Sequence, residues 1–168
     1  MAKKPVTKES ALLKLASLCS RSEQCEFDIN RKMLNWGLNS SQRQELLEYL
    51  KENKYLDESR FARSFTNDKA KFSAWGPYKI RLELRRRRIN NNLIDEVISN
   101  VEQEIWKEGL LKSVYSKAKN LDLTGGEAKE NMHKLYQALI RKGFPSQASS
   151  KAVALIKKRQ ERLNESLD

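Results

Sequence analysis

The sequence predicts an all-α protein of three tandem three-helix repeats forming an elongated, curved molecule. Three observations carry that expectation. Gly and Pro are scarce, 6 and 3 in 168 residues, where a sandwich or barrel needs many turn residues. Apolar residues recur at helical spacing between short polar breaks. The helix–break–helix pattern also returns along the chain. With Leu38, Ile89 and Phe144 set as equivalent, Ile29, Ile80 and Leu135 fall nine residues earlier and Met33, Leu84 and Leu139 five earlier. Leu46, Val97 and Ala152 fall eight later, Leu47, Ile98 and Val153 nine later, and Leu50, Val101 and Ile156 twelve later. All eighteen positions are apolar in a chain that is only 39% hydrophobic. The spacings, 51 and then 55 residues, leave four extra residues for a linker at 122–126. The expected units are 1–54 (a tail and repeat 1), 55–103 (repeat 2, basic) and 104–168 (repeat 3).

Residues 1–7 read as a frayed tail, with Thr7 or Ser10 as the cap of a first helix whose face is Leu12, Leu15, Ala16 and Cys19. A second helix carries Ile29, Met33 and Leu34 and stops at Gly37, a left-handed C-terminal position. Asn39-Ser-Ser caps a third, Gln42 to Lys51, with Leu46, Leu47 and Leu50. Asp57 caps a fourth, Glu58 to Phe72, faced by Phe61, Ala62, Phe65 and Ala70. Trp75-Gly76-Pro77 ends it. Pro77 suits the first turn of a fifth helix running to Arg88, because its missing N–H has no partner to lose there. Asn90-Asn-Asn breaks before a helix from Leu93 to Trp106; helices over 105–121 and 127–142 follow; and Ser146 caps a last one to about Asn164.

Charge is the second signal. The chain carries a net +11, and between Arg60 and Arg88 ten Lys/Arg face only Asp68 and Glu83, leaving eight of those eleven charges in one stretch. That implies a polyanionic partner or an acidic protein surface. With Ile80 and Leu84 inward, Arg81, Arg85 and Arg88 follow i, i+4, i+7 spacing and form an outward row. Lys79 and Arg86 lie on the opposite flank, and Arg87, Lys71 and Arg63 complete the set of contact candidates. One arginine near a helix C-terminus serves the dipole; four exceed that need. Guanidinium groups engage phosphates and carboxylates bidentately. Trp75 and Tyr78 flank the Gly-Pro turn and suit helix packing or base stacking.

Catalytic material is thin. His133 is the only histidine, Gly125-Gly126 lacks the Lys-Ser/Thr of a nucleotide loop, and Asp57/Glu58 or Glu102/Glu104 are explained by capping and solvated faces. The two cysteines, Cys19 and Cys25, have neither zinc-ligand spacing nor a disulfide framework, and read as small hydrophobes in a reducing cytosol. No catalytic residue, metal set or cofactor is expected. The longest apolar run, 152–156, is too short for a membrane span, and the N-terminus lacks a signal-peptide core. A cytoplasmic, non-enzymatic protein is expected.

Tyr55-Leu56-Asp57-Glu58-Ser59-Arg60-Phe61-Ala62 is similar to the YLDDxRFA signature of the RecX family of regulatory proteins. Gly76-Pro77-Tyr78-Lys79-Ile80 with Leu82-Glu83-Leu84 is similar to that family's GPxxIxxEL core. Cys19–Leu34 and Leu139–Phe144 fit more loosely, so the resemblance spans about residues 10–160. One departure is Arg88, where the family often has Gly. The resemblance implies a modulator of the RecA recombinase with three tandem three-helix repeats. Such a protein lies in the groove of the RecA–DNA filament, limits its growth, and inhibits its recombinase, ATPase and coprotease activities, without catalytic residues of its own. A monomer is expected, with single- or double-stranded DNA as a second partner. A stand-alone, sequence-nonspecific DNA-binding protein is the alternative.

Overall fold

The computed structural model describes residues 6–166, and among them are nine α-helices and no strand. The expected tail over 1–7 lies largely outside the described residues. Helix α1 (Lys8–Arg21) opens at Thr7, whose hydroxyl accepts from the Ser10 amide at 3.3 Å. Helix α2 (Glu26–Asn35) is followed by α3 (Ser40–Glu52), which starts in a reciprocal capping box. There the Gln42 amide donates to Asn39 Oδ1 at 2.9 Å, and the Asn39 amide to Gln42 Oε1 at 3.0 Å. Helix α4 (Glu58–Lys71) is capped by Asp57, which accepts from the Arg60 amide at 2.9 Å. Helix α5 (Pro77–Arg86) begins on its proline, and α6 (Asn91–Ser99) follows Asn90. Helices α7 (Gln103–Ala118), α8 (Ala128–Arg141) and α9 (Ser146–Glu165) complete the chain.

The recurrence seen in the sequence has a structural counterpart. Of the eighteen repeat positions, all are buried except Ile98, which is half-buried. The helix ends match as well. Gly37, Arg88 and Gly143 all take positive φ, at 82°, 62° and 87°. The next amide in each case reaches back to the same place: Leu38 to the Met33 carbonyl, Ile89 to Leu84 and Phe144 to Leu139, each at 3.2 Å. These are three copies of one Schellman ending, which satisfies carbonyls the last helical turn leaves open. Arg88 adopts the left-handed conformation despite its Cβ. Arg88→Gly is therefore expected to raise stability by about 1 kcal/mol. Thermal denaturation checks it, and an unchanged or lowered midpoint contradicts it.

Most boundaries shift by one to three residues from expectation, and three differences bear on the caps and the packing. Helix α5 ends at Arg86, because Arg87 and Arg88 form that turn. The helix expected over 93–106 is two helices, with a break at 100–102 that turns Val101 into the core, at 6% exposure. Ser146 is the first residue of α9 rather than its cap; Pro145 holds the cap position without a side-chain bond.

By compactness the chain divides into two units, 1–65 with 84–94, and 66–83 with 95–168. In the first, Leu15, Ile29, Met33, Leu46 and Leu50 centre a core to which Trp36 and Tyr55 add partly buried rings. Cys25 is buried and Cys19 half-buried, and both are free thiols. Burial foremost pushes the Cys25 thiol up to about 11. In the second, Val114, Leu123, Leu135, Leu139 and Phe144 form the core, on which α7, α8 and α9 pack mutually. The linker of this unit is folded onto Asp122, whose carboxylate accepts from the Thr124 amide at 2.8 Å and the Gly125 amide at 3.0 Å. These bonds hold its pKa below the usual carboxylate range.

Candidate functional site

The basic stretch places its cations in two settings. In the first unit, Arg85 is exposed and its Nε donates to Asn91 Oδ1 at 2.9 Å. Arg86, the last residue of α5, is exposed, as is Arg63 on α4. Arg87 is different. Its Nε donates to Asp28 Oδ2 at 3.0 Å, its guanidinium lies 5.1 Å from the Phe65 ring centroid, and its side chain is 24% exposed. Asp28 in turn accepts from Arg31 Nη2 at 3.1 Å and from the Cys25 thiol at 3.4 Å. Arg87 is thus built into the packing of its unit. Arg88, exposed, lies over Phe27 at 5.6 Å, and Arg31 approaches the same ring at 5.9 Å. Such cation–π contacts each contribute about 0.5–1 kcal/mol at exposed sites.

In the second unit, half-buried Arg81 forms an ion pair with Asp95 of α6. Lys79 and Lys69 lie over Trp75, at 4.1 and 5.1 Å from its ring centroid, so this half-buried ring contacts two ammonium groups. Lys71 and Tyr78 are exposed. The Gly-Pro turn docks by backbone alone: the Gly76 amide donates to the Lys142 carbonyl at 2.7 Å and the Tyr78 amide to the Gly143 carbonyl at 3.0 Å.

The expected row of Arg81, Arg85 and Arg88 is therefore not three equivalent helix positions. Arg81 is paired, Arg85 is tethered to Asn91, and Arg88 lies past the end of the helix. Sequence reasoning missed Asp95 and Asn91 as partners of Arg81 and Arg85, and Asp28 as the partner of Arg87. A signal for one of them existed in the repeat. Asn30, the counterpart of Arg81 in the first repeat, accepts from Arg43 Nε thirteen residues on at 3.0 Å, as Arg81 meets Asp95 fourteen residues on. For Asp28, 59 residues from Arg87, no local spacing carries a signal.

Residues 57–98, which take in α4, α5 and nearly all of α6, match the family model described as RecX, second three-helix domain. Over 124 residues the chain is 29% identical to a regulatory protein RecX of Clostridium botulinum (strain Alaska E43 / Type E3), covering 74% of this chain and 58% of that one. Over 131 residues it is 32% identical to a regulatory protein RecX of Geobacillus sp. (strain WCH70), covering 76% and 45%. The chain belongs to the RecX family.

It spans about half the length of the curated RecX relatives it matches. Two solved RecX structures share its fold. The crystal structure of RecX from Lactobacillus salivarius superposes with a TM-score of 0.68 at 15% identity, over 88% of this chain and 94% of that one. A second RecX crystal structure gives 0.71 at 21% identity, over 86% and 72%. In this RecX chain the matched span encloses the basic stretch 60–88. Among the described residues no helix is long and apolar enough to cross a membrane.

Proposed function

We propose that this chain is a non-enzymatic regulator that binds the RecA–DNA filament in the cytoplasm. It negatively modulates RecA in filament growth, ATP hydrolysis, strand exchange and coprotease action, and so regulates DNA repair, recombination and the SOS response. One observation carries the reading: the RecX-type span 57–98 encloses the basic stretch 60–88, where ten Lys/Arg face only two acidic residues. Its partner presents phosphates, carboxylates or both, as a nucleoprotein filament does. Exposed Arg85, Arg86 and Arg88 of the first unit are the leading contacts, with exposed Arg63 of the same unit as a further candidate. Lys71, Lys79 and Arg81 belong to the second unit, and Arg87 is spent on Asp28 and Phe65. The reading assigns the segments 1–54, 55–103 and 104–168 to successive repeats of a monomer. The test is ATP hydrolysis by RecA on single-stranded DNA. This chain is expected to lower it, and an unchanged rate at equimolar protein overturns the reading.

A further inference from the structure

A cleft of about 190 Å³ in the second unit gathers positive charge that no part of the basic stretch 84–88 supplies. Lys112, Ser113, Ser116 and Lys117 come from α7, Lys142 from the end of α8, and Ser73 from the turn after α4. On α7, Lys112 and Ser116 are four residues apart, as are Ser113 and Lys117, so one helix face presents two ammonium groups and two hydroxyls. Lys142 Nζ donates to the Ser73 carbonyl at 3.2 Å, which commits one of its three donors and anchors the amine.

Two independent features show that this arrangement is incomplete. The first is charge. No acidic residue lines the cleft, and neither Lys112 nor Lys117 has an acidic partner among the described residues. Burial foremost, then the charges of Lys79, Lys117 and Lys112, press the Lys142 pKa below its usual range, so the lysines sense one another without a counter-ion. The second is a hydroxyl. Ser113 is 4% exposed, and its Oγ is buried with no hydrogen-bond partner. Buried polar groups are nearly always bonded, so this one is a donor awaiting an acceptor.

We propose that this cleft binds a phosphate group, supplied by the backbone of a polynucleotide. Compact ammonium groups and hydroxyls surround a tetrahedral anion from several sides, whereas a planar carboxylate is better matched by a guanidinium fork. The volume is below the roughly 300–1,000 Å³ of sites that bury whole small-molecule ligands, which suits a phosphate better than a complete nucleotide. The inference deepens the filament reading, resting on it only in taking DNA as the source of the phosphate.

The test uses the full chain and no RecA, so its failure leaves the filament reading standing, and failure of that reading leaves this one testable. Binding of a fluorescently labelled oligothymidylate is followed by anisotropy over a range of salt concentrations, for the parent, Lys112→Gln/Lys117→Gln and Lys112→Arg/Lys117→Arg. The glutamine pair is expected to weaken binding about tenfold and to reduce the slope of log K against log salt by about 0.7, the contribution of one single-strand phosphate left unneutralised. The arginine pair retains the slope. In parallel, inorganic phosphate titrated into the parent chain shifts the backbone amide resonances of Ser113 and Ser116, and does not shift them in the glutamine pair. Phosphate-dependent shifts with an unaltered oligonucleotide slope overturn the polynucleotide source and leave a site for free phosphate. No shift and no change of slope overturn the site.

Discussion

Gly76→Ala is expected to destabilise the protein by about 3 kcal/mol or more. A Cβ at this position would overlap the carbonyl of Gly143 and the Phe144 amide, which are backbone and cannot swing aside. Relief requires the turns to part, which breaks the 2.7 Å bond from the Gly76 amide to the Lys142 carbonyl and the 3.0 Å bond from Tyr78 to Gly143. Each leaves a polar backbone group unpaired, at about 1–3 kcal/mol where the group is buried. The Gly-Pro of the family-like motif thus serves a backbone-to-backbone joint within the second unit, with Pro77 starting α5 directly after it. Gly126→Ala is the control: its Cβ would meet nothing within 4 Å, and the change is expected to stay within about 0.5 kcal/mol. Urea unfolding of the two variants checks both, and a Gly76→Ala midpoint equal to that of the control contradicts the joint.

Replacing Arg85, Arg86 and Arg88 together by alanine is expected to raise the concentration needed to inhibit RecA at least tenfold while leaving the helical content unchanged. A hydrogen bond to a charged group is worth about 1.5–3 kcal/mol, and tenfold corresponds to about 1.4 kcal/mol, so the removal of one good contact in three suffices. Folding tolerates the change for stated reasons. All three side chains are exposed, Arg85 loses one bond to an exposed Asn91, and alanine at Arg88 keeps the same Cβ at the same positive φ. Arg87→Ala makes the contrasting case. It strips Asp28 of a half-buried partner and takes a cation from Phe65, so it lowers stability before it reports on binding. Unaltered inhibition by the triple variant, with its circular dichroism intact, would remove these arginines from the contact.

Periodicity was the reliable part of the sequence. Apolar spacing located the eighteen repeat positions, and seventeen of them are buried. Glycine marked two of the three repeat-matched Schellman endings, at Gly37 and Gly143. The third was hidden because Arg88 adopts a conformation its side chain opposes, and the expected helix ran two residues too far. The break at 100–102 was also hidden, since Ile98, Val101 and Ile105 continue a helical rhythm across it. Caps were legible where a side chain makes them, at Thr7, Asn39 and Asp57, and not where Pro145 does without one. The candidate site was legible as charge but not as geometry. Which arginine is spent on Asp28 or Asp95 depends on the tertiary fold. So does the meeting of Lys112 and Lys117 of α7 with Lys142 at the end of α8.

Whether this chain acts on the assembled RecA filament is decided by one titration. RecA is assembled on single-stranded DNA, and its ATP hydrolysis is followed as this protein is added from well below one per RecA up to equimolar. A progressive loss of hydrolysis is the expected result. Near-complete loss at a small fraction of one per RecA indicates action at filament ends, and loss in proportion indicates binding along the filament. Hydrolysis that stays at its starting rate through equimolar addition, by a chain that still binds free DNA, contradicts action on the filament and leaves a DNA-binding protein in its place.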